Sequence, residues 1–314
     1  MNKKLFINLY LSLKIWLYHC RLYVLQRYDS RKANYTKTGR IALCCIAKME
    51  NDYIRFFVEY YKALHFDKII IYDNNDPDGE KFEDVINDYI QSGFVKIIDF
   101  RGRKVVQLSA YQNCYDRFNK QYDWIAFFDV DEFLTFSDGS DDIHDFLNQE
   151  KFLPYQLMHI NWKVYGDNEM LDNYGGNVID RFVEPLPYDT KMLYIDIPED
   201  NQIKSIVRGG LSYVKWKKNP HTPTSVGYHC CNPLGESVSA NSPFLDYDFS
   251  VAFIRHYSTK TIGEWVKNKM KRGYPDSTEE CWKKFLNLDF FYRYNQETEE
   301  KLKYAENILN GDKA

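Results

Sequence analysis

The stretch that decides the fold is residues 124–133, which read Trp-Ile-Ala-Phe-Phe-Asp-Val-Asp-Glu-Phe. Its apolar half has the length of a buried strand, and three carboxylates follow directly. Asp129 and Asp131 are two residues apart, so an extended backbone places both side chains on one face. Carboxylates held this close repel each other unless a cation or a proton lies between them. A divalent cation shared with substrate phosphates is the favoured interpretation, and an acidic turn after a strand is the alternative.

The residues before this stretch alternate between strand and helix patterns. Such alternation predicts right-handed crossovers and a mostly parallel sheet flanked by helices. Ligands of these sheets bind beyond the carboxyl ends of the strands, where the three carboxylates would lie. The predicted strands span 41–47, 68–72, 94–100 and 123–128, and the predicted helices span 52–65, 82–90 and 107–119.

After residue 150 the pattern changes to strand-like runs separated by loops, which predicts mixed or antiparallel additions to the same sheet. Capping-box spacings at Thr261–Glu264 and Ser277–Glu280 then predict a return to helices. We expect a helical segment over 1–38, the α/β domain over 39–260 and a helical extension packed on it over 261–314. The strand-like runs are 155–162, 191–197, 202–208 and 250–255, and a last helix is predicted over 298–310.

Composition excludes several classes of protein. The chain has 314 residues, of which 44% are hydrophobic and 27% charged, so a core of full size is expected and disorder is not. A net charge of −4 lacks the basic excess of a general nucleic-acid binder. The seven cysteines form no C-x-x-C pair, which favours buried, reduced thiols in a cytoplasmic protein.

The N-terminal segment is apolar-rich over residues 5–25, but Asn8, Lys14, His19 and Arg21 interrupt it. It is therefore too polar for a membrane span, and it lacks the small-residue cleavage site of a secretory signal. We expect an amphipathic helix. Two roles stay open for it: packing on its own domain, or peripheral contact with the inner face of a membrane through its basic residues.

The chain resembles glycosyltransferases of the GT-A fold, in particular glycosyltransferase family 92 and its bacterial relatives, which are related to the large family 2. Four stretches that lie between residues 41 and 270 carry the likeness: 47–54, 70–75, 124–133 and 256–260. The resemblance implies a Rossmann-like GT-A fold, a nucleotide-sugar donor, a divalent metal (Mn²⁺ or Mg²⁺) on its diphosphate, and a hydroxyl acceptor.

Carried over by position, the resemblance places Ala47 and Glu50 near the base or ribose and Asp73 on the base. Helix-dipole complementation by Glu50 and an ordinary turn at Asp73 are the alternatives. Arg103, after the third strand, either faces the diphosphate or is a solvated loop charge. Asp129 would contact the donor as well as the metal.

Two residues near the end of the domain complete the implied site. His256 follows a strand and precedes the capped helix at Thr261, and the resemblance makes it the third metal ligand beside Asp129 and Asp131. Lys260 would neutralise charge on the leaving group. A core histidine and an exposed lysine are the alternatives.

An inverting transfer needs a base that deprotonates the acceptor hydroxyl, and a carboxylate with a raised pKa would suit. Asp167 and Asp172 are the candidates by position, and Glu132 is a further catalytic candidate. Lys204 lies on a strand with alternating charges, which indicates either a wet edge strand or a contact with phosphate or acceptor.

The sequence thus predicts a metal-dependent glycosyltransferase that uses a nucleotide sugar, expected to be a UDP-sugar. Its acceptor is expected to be a glycan or a lipid-linked saccharide in surface polysaccharide synthesis. One alternative is a nucleotidyltransferase, against which the glycine-free loop Lys48–Asn51 speaks, because such enzymes carry a Gly-rich phosphate loop there. The other is a non-catalytic sugar-binding protein on the same fold.

Overall fold

A computed structural model describes residues 3–32, 39–192, 195–275, 277–284 and 286–311. Ten strands form one sheet: β1 Ile41–Ala47, β2 Lys68–Asp73, β3 Val95–Asp99, β4 Trp124–Phe127, β5 Glu132–Phe136, β6 Leu157–Val164, β7 Ile203–Arg208, β8 Cys230–Cys231, β9 Ser237–Val238 and β10 Ala252–His256. Helices before β7 are α1 Lys3–Lys32, α2 Asn51–Ala63, α3 Glu83–Gln91, α4 Gln107–Phe118, α5 Ile143–Leu147 and α6 Val178–Arg181, with 3₁₀ turns at Glu150–Phe152 and Glu199–Asn201. Helices after β10 are α7 Ile262–Glu264, α8 Met270–Arg272, α9 Glu279–Trp282, α10 Leu288–Tyr292 and α11 Glu299–Gly311.

The sheet has a parallel half and a mixed half. Strands run in the order β3-β2-β1-β4-β7-β6-β10-β5, and β8 and β9 extend it from β6. The first four strands pair in parallel, β7 is antiparallel to both β4 and β6, and β10 is parallel to β6 but antiparallel to β5. The predicted α/β GT-A architecture, with helices around a central sheet and further helices at its end, is confirmed.

β1, β2 and β4 of the parallel half are buried on both faces because they are almost wholly apolar, whereas the edge strand β3 is partly exposed. Every residue of β1 is buried, and alternate side chains enter the two core layers. Cys44 packs into one layer and Cys45 into the other, so the adjacent thiols do not act as a ligand pair.

Several predicted elements differ from the structure. β5 was not predicted, because its residues 132–136 directly follow the carboxylates and read as part of the acidic loop. The strand predicted over 191–197 is wrong: Lys191 forms only an isolated bridge with Pro198, and residues 193–194 lie outside the described residues. The capping box predicted at Ser277 is also wrong, since α9 follows Thr278, whose side chain makes no cap hydrogen bond.

The helix that follows β10 is built as the sequence indicates. The Thr261 hydroxyl accepts the Glu264 N–H, and the Glu264 carboxylate accepts the Thr261 N–H, which completes the predicted capping box. A π-helical turn over Trp265–Lys269 joins α7 to α8, so residues 262–272 form one continuous helix, named here the cleft helix. It ends at Gly273, which has a φ of 72°.

Helix α1 is attached through its last third. Leu22 and Gln26 are buried, and Gln26 bonds to the backbone at Tyr213, Thr224 and Gly227. The expected amphipathic face is absent: successive side chains such as Leu9 (60%), Tyr10 (50%) and Leu11 (50%) are all exposed. Since neighbouring residues on a helix point about 100° apart, the apolar side chains surround it. In the described part of the chain, no helix combines the length and the apolar character that a bilayer crossing needs. Residues 33–38 of the predicted helical segment lie outside the described residues.

Candidate active site

A cleft of about 1320 Å³ opens at the carboxyl ends of the parallel strands. Ala47 at the end of β1, Glu50 after it and Arg103 after β3 form one side, and the acidic loop 129–131 after β4 forms the floor. The cleft helix and the segments 273–275 and 277–283 also line it, together with Phe290 and Tyr294. The cleft lies where the sheet rule predicts a ligand, and six of the predicted site residues line it: Ala47, Glu50, Arg103, Asp129, Asp131 and His256.

Asp129 has both carboxylate oxygens occupied by side chains of the protein. Its Oδ1 accepts from Tyr111 Oη at 2.8 Å and from Gln107 Nε2 at 3.1 Å, both on α4. Its Oδ2 lies 2.6 Å from the ammonium of Lys204 on β7. Lys204 is buried in mid-sheet, so the wet edge strand that was one interpretation of β7 is wrong. Asp129 therefore organises the cleft floor and has little capacity left for a metal.

Asp131 is in a different situation. Lys269 of the cleft helix lies 3.3 Å from its Oδ2, and Nε2 of His256 lies 3.9 Å from its Oδ1. Burial alone would raise the pKa of Asp131, but Lys269 and the other positive groups outweigh it and hold the pKa far below its usual range. These neighbours favour the anionic form of Asp131.

His256 ends β10 and packs its ring 4.0 Å from that of Trp162. Burial lowers its pKa to about 3, although the nearby Asp131 opposes the shift. Its Nδ1 is buried and has no hydrogen-bond partner among the described residues. A neutral imidazole beside an anionic carboxylate is the form in which histidine binds metals.

The metal expected here fits this donor set in part. Asp131 and His256 offer one carboxylate and one neutral imidazole facing the same cleft, whereas both oxygens of Asp129 already contact protein side chains. Across the described ranges, no three His, Cys, Asp or Glu side chains lie grouped so that they alone could hold an ion. A bound ion would depend on Asp131, His256 and oxygens of the ligand.

Asp73 does not line the cleft, contrary to the predicted contact with the base. It is buried at the end of β2, where it accepts the Asn75 N–H at 2.9 Å and Arg101 Nε at 2.6 Å. These contacts of the Asp73 carboxylate stabilise the loop after β2. Asn74 and Asp76, its close neighbours, face the cleft instead, and Asp76 pairs with Lys48 at 2.8 Å.

The predicted bases Asp167 and Asp172 also lie away from the cleft. Asp167 is buried against Lys301 at 2.5 Å, and Asp172 contacts Lys267 and accepts from Tyr304 Oη at 2.5 Å. Both carboxylates therefore fasten the loop after β6 to the C-terminal helices. The loop follows a cleft-lining strand, but its course after that strand could not be derived from one sequence.

Glu132 and Lys260 lie behind the cleft wall. Glu132 is fully buried and accepts the Asp129 N–H at 3.0 Å, and burial raises its pKa although Lys204 opposes the shift. Lys260 has its ammonium 4.1 Å from the centre of the Tyr53 ring, and burial lowers its pKa. Neither residue lines the cleft.

The sequence reasoning missed several cleft residues. Lys269 and Arg272 lie in the last turns of the capped helix, in a basic run that could have drawn attention to them. Gln107 and Tyr111 are one helical turn apart on α4, but their role in the cleft is evident only from the structure, where both contact Asp129. Glu199 lies in a 3₁₀ turn that no pattern predicted; its carboxylate accepts hydrogen bonds from Tyr294 and Gln202.

Comparison with models of known protein families identifies the family of this chain. Residues 42–302 match the model of glycosyltransferase family 92. The chain belongs to glycosyltransferase family 92. A glycosyltransferase family 92 protein of Oryza sativa subsp. japonica is 25% identical over 118 residues, which is 38% of this family 92 chain and 20% of the relative. The match thus spans about a fifth of the relative's length.

Two solved structures show a distant likeness to this family 92 chain. One is the crystal structure of S. aureus TarS 1–349, with 11% identity and a TM-score of 0.36 over 81% of this chain and 71% of that one. The other is TarS 1–349 in complex with UDP-GlcNAc, with 10% identity and a TM-score of 0.37 over 87% and 80% of the two chains.

Proposed function

We propose that this family 92 chain is a metal-dependent glycosyltransferase. It would transfer a sugar, with inversion, from a UDP-sugar to a hydroxyl of a glycan or lipid-linked saccharide. The observation that carries the proposal is the pair Asp131 and His256, an anion and a neutral imidazole 3.9 Å apart on the floor of the cleft. Family membership supports the reaction class, and the position of the cleft at the carboxyl ends of parallel strands supports a nucleotide ligand.

Each part of the cleft has a task in this reaction. A divalent ion held by Asp131 and His256 would neutralise the diphosphate as the sugar leaves. Asp129, fixed by Tyr111, Gln107 and Lys204, is held rigidly enough to orient hydroxyl groups of the donor. Ala47, at the end of β1, would lie beside the base. Glu50, which lines the same side of the cleft, would contact the ribose.

Glu199 takes over the role of base that Asp167, Asp172 and Glu132 cannot fill. Among the cleft-lining carboxylates that the structure describes, Glu199 is the one for which no salt bridge is recorded. Burial raises its pKa, with the hydrogen bonds from Tyr294 and Gln202 opposing the shift. A carboxylate with a raised pKa is suited to take the proton of an acceptor hydroxyl.

A screen of UDP-sugars for turnover with Mn²⁺ or Mg²⁺ tests the proposal. Asp131→Asn should lower kcat/KM by at least about a hundredfold, because the ion loses its charged ligand. Asp138→Asn is the matched control, since Asp138 lies in an exposed turn outside the cleft. Proton NMR of the anomeric centre reports inversion or retention. Activity of Asp131→Asn within a few-fold of wild type would refute the metal site.

We also propose that helix α1 places the enzyme on the inner face of a membrane as a peripheral protein. Exposed apolar side chains surround the helix, and the exposed cations Lys14, Arg21 and Arg31 suit anionic lipid. Its one acidic residue, Asp29, is engaged by Ser212 and Tyr228. Co-flotation with vesicles that contain phosphatidylglycerol, lost in Leu13→Glu/Trp16→Glu, would support this. A helix-mediated dimer without flotation would contradict it.

A further inference from the structure

The cleft helix brings two cations down onto the floor of the cleft. Lys269 lies 3.3 Å from Asp131, and Arg272 contacts Glu50 and lies 3.9 Å from Asp131. Arg272 also donates to the Lys48 carbonyl at 3.3 Å. Lys269 is the last residue of the π-helical turn and Arg272 lies in the turn after it; single π turns in α-helices are frequent at functional sites.

These ion pairs are buried, which requires an explanation. The side chains of Lys269 and Arg272 are 14% and 11% exposed, and those of Asp131 and Glu50 are 6% and 4% exposed. The cost of removing such charges from water nearly cancels their mutual attraction, so a buried ion pair contributes little net stability. Apolar residues would close the cleft at least as well. The two pairs are better explained by a task in ligand binding.

The pairing also affects the ion that Asp131 would bind. Lys269 already compensates the charge of Asp131 and would repel a second cation arriving at the same carboxylate. A diphosphate, in contrast, is attracted by both Lys269 and Arg272, and the planar guanidinium of Arg272 suits two phosphate oxygens at once. If these cations pair with phosphate, Asp131 loses its contacts with them and its carboxylate becomes available to the divalent ion.

We propose that Lys269 and Arg272 bind the donor's diphosphate by leaving Asp131 and Glu50, so that the divalent ion binds with or after the nucleotide and not before it. This inference rests on the proposed function, because it requires a nucleotide ligand. The two cations then determine the order of binding. In the empty cleft they pair with Asp131 and Glu50, and when the nucleotide binds they pair with its diphosphate instead.

Isothermal titration calorimetry with three titrants tests the exchange: UDP without metal, Mn²⁺ alone, and Mn²⁺ in the presence of UDP. Wild type should bind UDP without metal, and Mn²⁺ much more tightly once UDP is present. In Lys269→Met, affinity for UDP without metal should fall by roughly tenfold or more, as expected for the loss of a charge-assisted contact. Affinity for Mn²⁺ alone should rise, because Asp131 is no longer paired with Lys269.

Lys267→Met is the matched control. It removes one positive charge from the same helix, but Lys267 pairs with Asp172 away from the cleft, so both affinities should stay at wild-type values. Asp131→Asn is the second variant: it frees Lys269, so UDP without metal should bind more tightly. It keeps the test decisive if Lys269→Met does not fold, which a thermal melt reports.

The two hypotheses fail in different ways. Equal UDP affinity in wild type, Lys269→Met and Lys267→Met would overturn the exchange and leave the glycosyltransferase proposal standing. Tight binding of Mn²⁺ to the nucleotide-free wild type would also overturn it. A wild-type protein that binds neither UDP nor Mn²⁺ with UDP would overturn the proposed function and the exchange with it.

Discussion

The charge and orientation of a side chain in this cleft depend more on its partners than on its residue type. Lys204 is the clearest case: its ammonium is buried between Asp129 at 2.6 Å and Glu132 at 3.4 Å. The neighbouring carboxylates, Asp129 foremost, raise its pKa although burial opposes the shift, so it stays charged. This one cation turns Asp129 toward β7 and separates its role from that of Asp131.

Replacing Lys204 by Met should destabilise the fold. Asp129 and Glu132 would then lack their cation in a buried site, and breaking a buried pair costs about 3–5 kcal/mol. The measurement is the free energy of unfolding from urea titration. Lys96→Met on β3 is the control, because Lys96 is exposed and such a surface change is within about 0.5 kcal/mol. A loss below about 1 kcal/mol in Lys204→Met would mean that Lys204 is not needed as a counter-ion.

The site could be predicted from the sequence as far as strand ends determine it. Asp129, Asp131 and His256 each follow or end a strand, and they do line one cleft. Asp73 also ends a strand, yet its side chain is taken by Arg101, and no local pattern reveals that partner. Asp167 and Asp172 depend on where a long loop packs, which only tertiary structure decides.

At the scale of elements, the cleft helix illustrates what local sequence can specify. Its start was predictable, because a capping box needs only two residues at a fixed spacing. Its π-helical turn and its position over the cleft were not, because they depend on contacts with distant residues. One such contact is the buried pair of Arg181 and Glu264, at 2.8 Å, which ties the helix start to α6.

The end of the cleft helix provides a test at this scale. Gly273 has a φ of 72°, and a Cβ added there would lie 2.3 Å from the Trp282 ring. Gly273→Ala should therefore combine the cost of a left-handed alanine, about 1–2 kcal/mol, with the cost of displacing the indole. The free energy of unfolding measures the sum.

Gly210→Ala is the matched control for this substitution. Gly210 has a φ of 73°, but a Cβ there meets no atom within 4 Å, so only the conformational cost applies. The difference between the two variants isolates the contact with Trp282, and we expect it to exceed about 1 kcal/mol. Equal losses in both would show that Trp282 moves aside freely.

At the scale of the whole molecule, the buried His159 and His256 and the half-buried His221 couple folding to pH. Burial lowers the pKa of His159 and His256 to about 3 and that of His221 to about 4. An unfolded histidine has a pKa of about 6.5, so the unfolded chain binds more protons between these values. The contribution of each histidine is fully present above about pH 6.5 and is lost as the pH falls toward the folded pKa. Asp200, whose pKa burial raises to about 6, acts in the opposite direction.

His159→Gln isolates one of these contributions. His159 lies far from charge, bonded to Thr222 at 2.9 Å, so its titration is governed by burial. Between pH 6 and pH 4 wild type should lose about 1.4 kcal/mol per pH unit more than the variant. Urea titrations of both proteins at pH 7, 6, 5 and 4 give the two slopes. Parallel slopes would show that His159 is already neutral in the unfolded chain or charged in the fold.

The place of β10 in the sheet has a consequence for how the chain folds during synthesis. β10 is a late segment of the chain, yet it lies between β6 and β5, and the Asp131 carbonyl accepts the Tyr257 N–H at 2.9 Å. A nascent chain that has emerged only as far as residue 250 contains β1–β4 and all of β5, but it lacks the strand that pairs with β5. Because the acidic loop leads straight into β5, we expect the loop to take its final position only after residues 252–257 insert. A chain interrupted before residue 252 would therefore lack the strand that holds the acidic loop in place.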